Sequence, residues 1–172
     1  MGRKKGRAER SSLMNVGRRV DYAVRALSYM AGQQDGRIVS RAEIEKNQGV
    51  PASYLSKIMK DLVAGGLVNS HIGSKGGFTL ARAPEQISLK AVYEAVEQPL
   101  VLMDCLEQGE QYCSYCGVCT QRSVWENVQN LVADYLGKVS IHDIADPLGL
   151  KYRLALPHQS APPQGESLNA RH

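Results

Sequence analysis

The chain has 172 residues, 43% of them hydrophobic, enough to bury one core or to build two small units that share an interface. No apolar run approaches the roughly 18 residues a spanning helix needs, and the basic start GRKKGRAERSS leads into no apolar signal stretch, so a cytoplasmic protein is expected. The net charge of +4 is uneven: residues 1–19 carry seven Lys/Arg against one Glu, residues 20–90 nine against six acids, and residues 91–172 five against ten, so a polyanion is expected to meet the first half only.

In chain order, residues 1–17 read as a basic flexible extension. Val20, Val24, Leu27 and Met30 recur at helical spacing in RRVDYAVRALSYMA and predict an amphipathic helix over residues 18–33, ended by QQDGR. Ser40 opens SRAE, with Glu43 three positions on, the capping box of a short second helix that QGVP breaks. Pro51 opens a third, PASYLSKIMKDLVAGG, with Leu55, Ile58, Met59 and Leu62 on one face and Gly65-Gly66 as its stop. LVNSHI and FTLAR flank the Gly-rich tip GSKGG and predict a β-hairpin. Ser88 caps a fourth helix, SLKAVYEAVEQ, and Pro99 follows it. Beyond the segment 99–119, TQRSVWENVQNLVADYLGKV repeats apolar residues at Val124, Val128, Leu131 and Tyr135, the longest predicted helix, with a short final helix completing residues 120–156. Residues 157–172 are Pro-rich and polar and read as a disordered tail.

Three helices, the second and third joined by a tight turn at Gly49 to Pro51, and a hairpin after them outline a winged helix-turn-helix over residues 18–98. The predicted class is therefore mainly α, with a small β-hairpin wing and a long C-terminal helix. A third helix of this kind fits a major groove about 12 Å wide while its apolar face stays packed on the first two. Ser53, Ser56, Lys57 and Lys60 are its outward side chains, with Tyr54 at the edge. Small hydroxyls near a helix start permit close approach, and lysines neutralise phosphates. Protein-binding modules share this outline, so pattern alone leaves that alternative open. GSKGG is no phosphate loop, because Lys75 precedes Gly76-Gly77 and leads into a strand.

CLEQGEQYCSYCGVC, residues 105–119, gathers all four cysteines of the chain. In a reducing compartment such a cluster is read first as metal ligands or a redox sensor, not as structural disulfides. Thiolates are soft anionic donors suited to iron or zinc. No nucleophile–base pair accompanies them, so an enzyme is not expected.

DYAVRALSYMA, VPASYLSKIMKDLVAGGLVNS, GGFTLARAPEQISLKAVYEAVE and a cysteine loop ending C-x5-W, Cys119 to Trp125, resemble the IscR/NsrR family of bacterial transcription regulators, in the family's order, over roughly residues 18–146. The resemblance implies a homodimer whose long C-terminal helices cross, with two winged heads on a partly palindromic double-stranded DNA operator. It also implies an iron-sulfur cluster, of two or four irons, held by three cysteines that match Cys105, Cys113 and Cys119. IscR-like members supply a His where Arg122 stands here, and a guanidinium cannot ligate. NsrR-like members use an Asp on the partner's first helix, which Asp21 matches. Cys116 is additional and competes with Asp21 as fourth ligand, since C-x2-C-x2-C resembles part of a ferredoxin run. The family's wing often carries an Arg where Ile72 stands, which leaves Lys75 or His71 as wing contacts. The implied function is a repressor that senses nitric oxide, oxygen, redox state or iron-sulfur supply. A closed zinc site or a Cys116 disulfide switch on the same fold stays open, as does, in another class, a small C-x-x-C electron carrier, which assigns no task to the basic winged half. His71, His142, His158 and His172 have no partner at ligand spacing and read as surface or tail residues. Trp125 and Tyr135 read as core or dimer contacts.

Overall fold

A computed structural model describes residues 16–34, 36–97 and 99–146; most of the basic extension, the end of the segment 120–156 and the Pro-rich tail, with His158 and His172, lie outside the described residues. The chain folds mainly as α-helices with one two-stranded antiparallel hairpin, as the hydrophobic periodicities require. Helix α1 (Arg18–Ala31) buries Val20, Ala23, Leu27 and Met30, spaced three or four residues apart. It packs against α2 (Arg41–Gln48), α3 (Ala52–Ala64) and α4 (Leu89–Val96). Leu27, Leu55, Ile58, Met59, Leu62 and Val92 are fully or almost fully buried where these helices meet. Each contributes about 1.5–3 kcal/mol by leaving water, so this cluster fixes the pose of α3.

The helix ends follow the sequence closely. Ser40 Oγ accepts the Glu43 N–H at 3.2 Å, and the Ser40 backbone in turn hydrogen-bonds the Glu43 carboxylate, as the capping pattern expects. That carboxylate also accepts from the Tyr29 hydroxyl and from Arg37, each at 2.8 Å. These contacts, the Tyr29 hydroxyl foremost, hold the Glu43 carboxyl below the usual carboxylate range. Gly49, with φ of 62°, ends α2, and Pro51 caps α3. At the far end of α3, Gly66 takes φ of 66° while Leu67 N–H reaches Leu62 C=O at 2.9 Å, so the two glycines close the helix and turn the chain into the wing.

Strands β1 (Val68–His71) and β2 (Gly77–Leu80) pair with Val68 opposite Leu80 and His71 opposite Gly77. Val39 joins them through reciprocal 2.9 Å bonds with Phe78, which seats the hairpin on the segment before α2. Beyond α4 come α5 (Asp104–Gln108), a 3-10 turn at Gly109–Gln111, α6 (Arg122–Lys138) and α7 (Ile141–Ala145). Helix α7 starts with a full capping box, Ser140 with Asp143, and packs on α1. Backbone bonds of 2.8 Å, Leu89 N–H to Val139 C=O and Ile141 N–H to Ile87 C=O, stitch it to the start of α4. Helix α6 buries no residue, and Val124, Trp125, Leu131 and Tyr135 stand exposed along it.

Candidate functional site

The apolar face of α3 is locked into the core, so Ser53, Tyr54, Ser56, Lys57 and Lys60 all face outward. Together with Arg19 and Asp61, most of them line a surface depression of about 600 Å³. Several of these side chains are braced. Arg19 bonds Asp61 at 2.6 Å and stands 3.9 Å from Glu97, so α1 clamps α3 to the last turn of the head. The Tyr54 ring meets Tyr22 edge-on at 5.8 Å, and the Arg25 guanidinium lies 6.0 Å from the Tyr22 centroid. Ser56 Oγ donates to Ala52 C=O at 3.0 Å and accepts from Arg41 Nη1 at 3.2 Å.

Sequence reading passed over Arg19 and Arg41. Arg41 opens the second helix of a helix-turn-helix beside its capping serine, a position from which a long cation reaches the next helix; that placement was the available signal. Arg19 offered none, because its partner Asp61 is 42 residues away.

At the wing, Ile72 is fully exposed, and Ser74 and Lys75 form the tip. Gly73, with φ of 126°, and Gly76, whose N–H reaches Gly73 C=O at 2.9 Å, make the turn. An added Cβ at Gly76 would stand 2.6 Å from His71 C=O, so the tip admits no side chain there. His71 Nε2 lies 3.0 Å from Thr79 Oγ1, which lays the imidazole across the hairpin while leaving it exposed. Lys57, Lys60 and Lys75 thus give the α3 face and the wing a shared positive charge.

The cysteines occupy one loop between the head and α6. Cys105 sits in the first turn of α5, Cys113 follows the 3-10 turn, and Cys119 precedes α6, its carbonyl accepting the Arg122 N–H at 3.3 Å. All four thiols are free; Cys116 is buried and the other three half-buried. Cys116 Sγ faces the Cys105 carbonyl at 3.6 Å and accepts from the Arg122 guanidinium. The structure therefore brings Cys105, Cys116 and Arg122 together. Asp21 is on α1, held by Arg25 at 3.0 Å, and half-exposed. Among the described residues no three His, Cys, Asp or Glu side chains converge as a metal cage. The donor set nevertheless fits an iron-sulfur cluster chemically, since it offers four unpaired soft sulfurs in one short loop. Leu102 N–H donates to Gln129 Oε1 at 3.0 Å, tying the entry of this loop to the middle of α6.

Comparison with known proteins agrees with this architecture. A transcriptional regulator of the helix-turn-helix type from Haemophilus influenzae is 30% identical over 130 residues, 76% of this chain and 85% of the relative. The transcriptional regulator IscR of Erwinia tasmaniensis is 29% identical over 125 residues, 73% of this chain and 74% of that protein. Among solved structures, T. potens IscR superposes with a TM-score of 0.60 at 25% identity, covering 84% of this chain and 93% of its own. CymR, the global cysteine regulator of B. subtilis, superposes with a TM-score of 0.64 at 21% identity, covering 78% and 98%. These relatives are regulators, a class without enzymatic activity, and the family model for the Rrf2 iron-dependent transcriptional regulators matches residues 16–147. With its winged head, its cysteine loop and its exposed long helix in that order, the chain belongs to the Rrf2 family of transcriptional regulators.

Proposed function

We propose that this regulator is a cytoplasmic, homodimeric repressor that grips a double-stranded operator through α3 and the wing, and whose grip is set by an iron-sulfur cluster in the cysteine loop. The signal it reports is nitric oxide, oxygen, redox state or iron-sulfur supply. The observation that carries the reading is the confinement of four free thiols to the loop joining the winged head to α6. Cys105, Cys113 and Cys119 would hold the cluster, with the fourth position taken by Cys116 or by Asp21 of the partner subunit. When bound, such a group supplies a core that reacts with small oxidants or nitric oxide.

The protein's own residues do the rest. Lys57, Lys60 and Lys75 neutralise phosphates, and Ser53, Ser56 and Tyr54 approach the groove. His71 stands beside them on the wing. Arg19 fixes α3 against the end of α4, from which the loop departs, so a rearranged loop bears on the pose of the head. Two heads must meet half-sites about 34–36 Å apart, and a change in their relative pose weakens binding.

The decisive experiment is anaerobic purification followed by iron, sulfide and zinc analysis and an absorption spectrum. Iron and sulfide with a visible charge-transfer band support the reading, whereas colourless protein carrying zinc overturns the cofactor. Cys116→Ala and Asp21→Ala then separate the two candidates for fourth ligand. An intact cluster in the Asp21 variant discards the cross-subunit version. A structural zinc site is the second reading, favoured by the burial of Cys116 beside Cys105, since four thiolates close a tetrahedral shell.

A further inference from the structure

Direct readout of a base pair in the major groove uses Arg or Lys on guanine, Asn or Gln on adenine and Ser or Thr on either, and among these the planar forks of Arg, Asn and Gln constrain geometry most. Helix α3, ASYLSKIMKDLVA, contains no Arg, Asn or Gln, and its Asp61 is bound to Arg19. Its lysines carry compact point charges without a fixed plane, better suited to phosphates. Ser56, one turn into the helix, has its hydroxyl committed to Ala52 C=O as donor. Helix α3 alone therefore offers no planar fork to a base.

The missing fork comes from the neighbouring helix. Arg41 is the first residue of α2, yet its Nη1 rests on Ser56 Oγ, so the guanidinium lies over the α3 surface. Its Nε stands 3.0 Å from the Glu45 carboxylate, an ion pair whose angle falls short of a hydrogen bond. Glu45 and Ser56 thus hold the inner edge of the group, while the Arg41 side chain is 56% exposed. Among the described residues its Nη2 has no hydrogen-bond partner. A small residue at position 56 leaves room for this seat; a larger side chain would fill it. We propose that Arg41 is the base-reading residue of this surface, presenting its outer edge to O6 and N7 of a guanine from its seat on Ser56.

The inference rests on the reading of α3 as the DNA-facing helix and adds the residue that gives it specificity. The test is enrichment of duplexes from a random pool by the full-length, anaerobically purified protein, alongside Arg41→Ala, Arg41→Lys and Ser56→Ala. The wild-type protein should enrich a guanine at one position of each half-site. Arg41→Ala should lose that guanine, Arg41→Lys should weaken the preference because its point charge has no fork, and Ser56→Ala should relax it in part. Replacing the guanine by 7-deazaguanine, which lacks the N7 acceptor, should weaken the wild type roughly tenfold and leave Arg41→Ala unaffected. If Arg41→Ala keeps the same motif and binds every sequence more weakly with a flatter salt dependence, Arg41 is a phosphate contact and the inference falls. If the variants match the wild type throughout, it falls as well. A wild-type protein that enriches no duplex overturns the DNA-binding reading itself, a result distinct from both.

Discussion

Glu43 shows how one side chain can take on partners beyond the role its spacing suggests. The S-x-x-E pattern directs it back to its own helix start, and in the fold the Tyr29 hydroxyl and Arg37 also tie it to the end of α1 and the loop beyond. Its carboxyl is held below the usual range chiefly by the Tyr29 hydrogen bond, so the folded state prefers the carboxylate more strongly than the unfolded chain does. That contribution is complete above the ordinary Glu range and is lost as pH falls through the lowered folded value. Denaturant midpoints measured from neutral to acid pH should therefore decline for the native chain, and Glu43→Gln should start lower and decline less steeply. At this scale the sequence was legible where a residue acts on near neighbours, as at Ser40, Ser88 and Gly66. It was opaque for Arg19, since no periodicity announces an ion pair made across 42 positions. The partners of Cys116 were hidden for the same reason, because the loop has no period from which a sulfur's direction can be read.

For whole elements, hydrophobic spacing placed α1, α3, α4 and α6 within two or three residues, because each presents an unbroken apolar stripe to neighbours or along its length. Helix α5 escaped notice: five residues are too few to display a helical period, and DCLEQ has none. Two predictions belong here. A Cβ at Gly77 would collide with the Val39 carbonyl, so Gly77→Ala should force the wing off its seat and cost about 1–3 kcal/mol, seen as a lower denaturant midpoint. On α3, Lys57→Ala with Lys60→Ala should weaken operator binding and flatten the plot of log affinity against log salt by about 0.9 for each phosphate left without its lysine. An unchanged slope would remove both lysines from the interface.

For the molecule as a whole, the unburied length of α6 is the outstanding feature. Val124, Trp125, Leu131 and Tyr135 stay exposed as an apolar strip along α6, although the helix touches α4. The proposed homodimer places a second α6 on that strip, as the crossed helices implied by the family resemblance do. Leu131→Asp combined with Tyr135→Asp should halve the mass measured by sedimentation and reduce operator affinity at least about tenfold, because a lone head grips one half-site without the gain from linkage. A variant that sediments unchanged would place the subunit contact elsewhere.

The bonds at the middle and at the C-terminal end of α6 carry a mechanical consequence. Gln129 grips the chain entering the cysteine loop just beyond the head, and Val139 is sewn to the start of α4, so this strut is held at two points. A strut pinned twice cannot pivot freely like a tethered arm. The spacing tolerated between operator halves should consequently be narrow: one inserted base pair, which lengthens the duplex by about 3.4 Å and rotates one half against the other, should be enough to unseat a head.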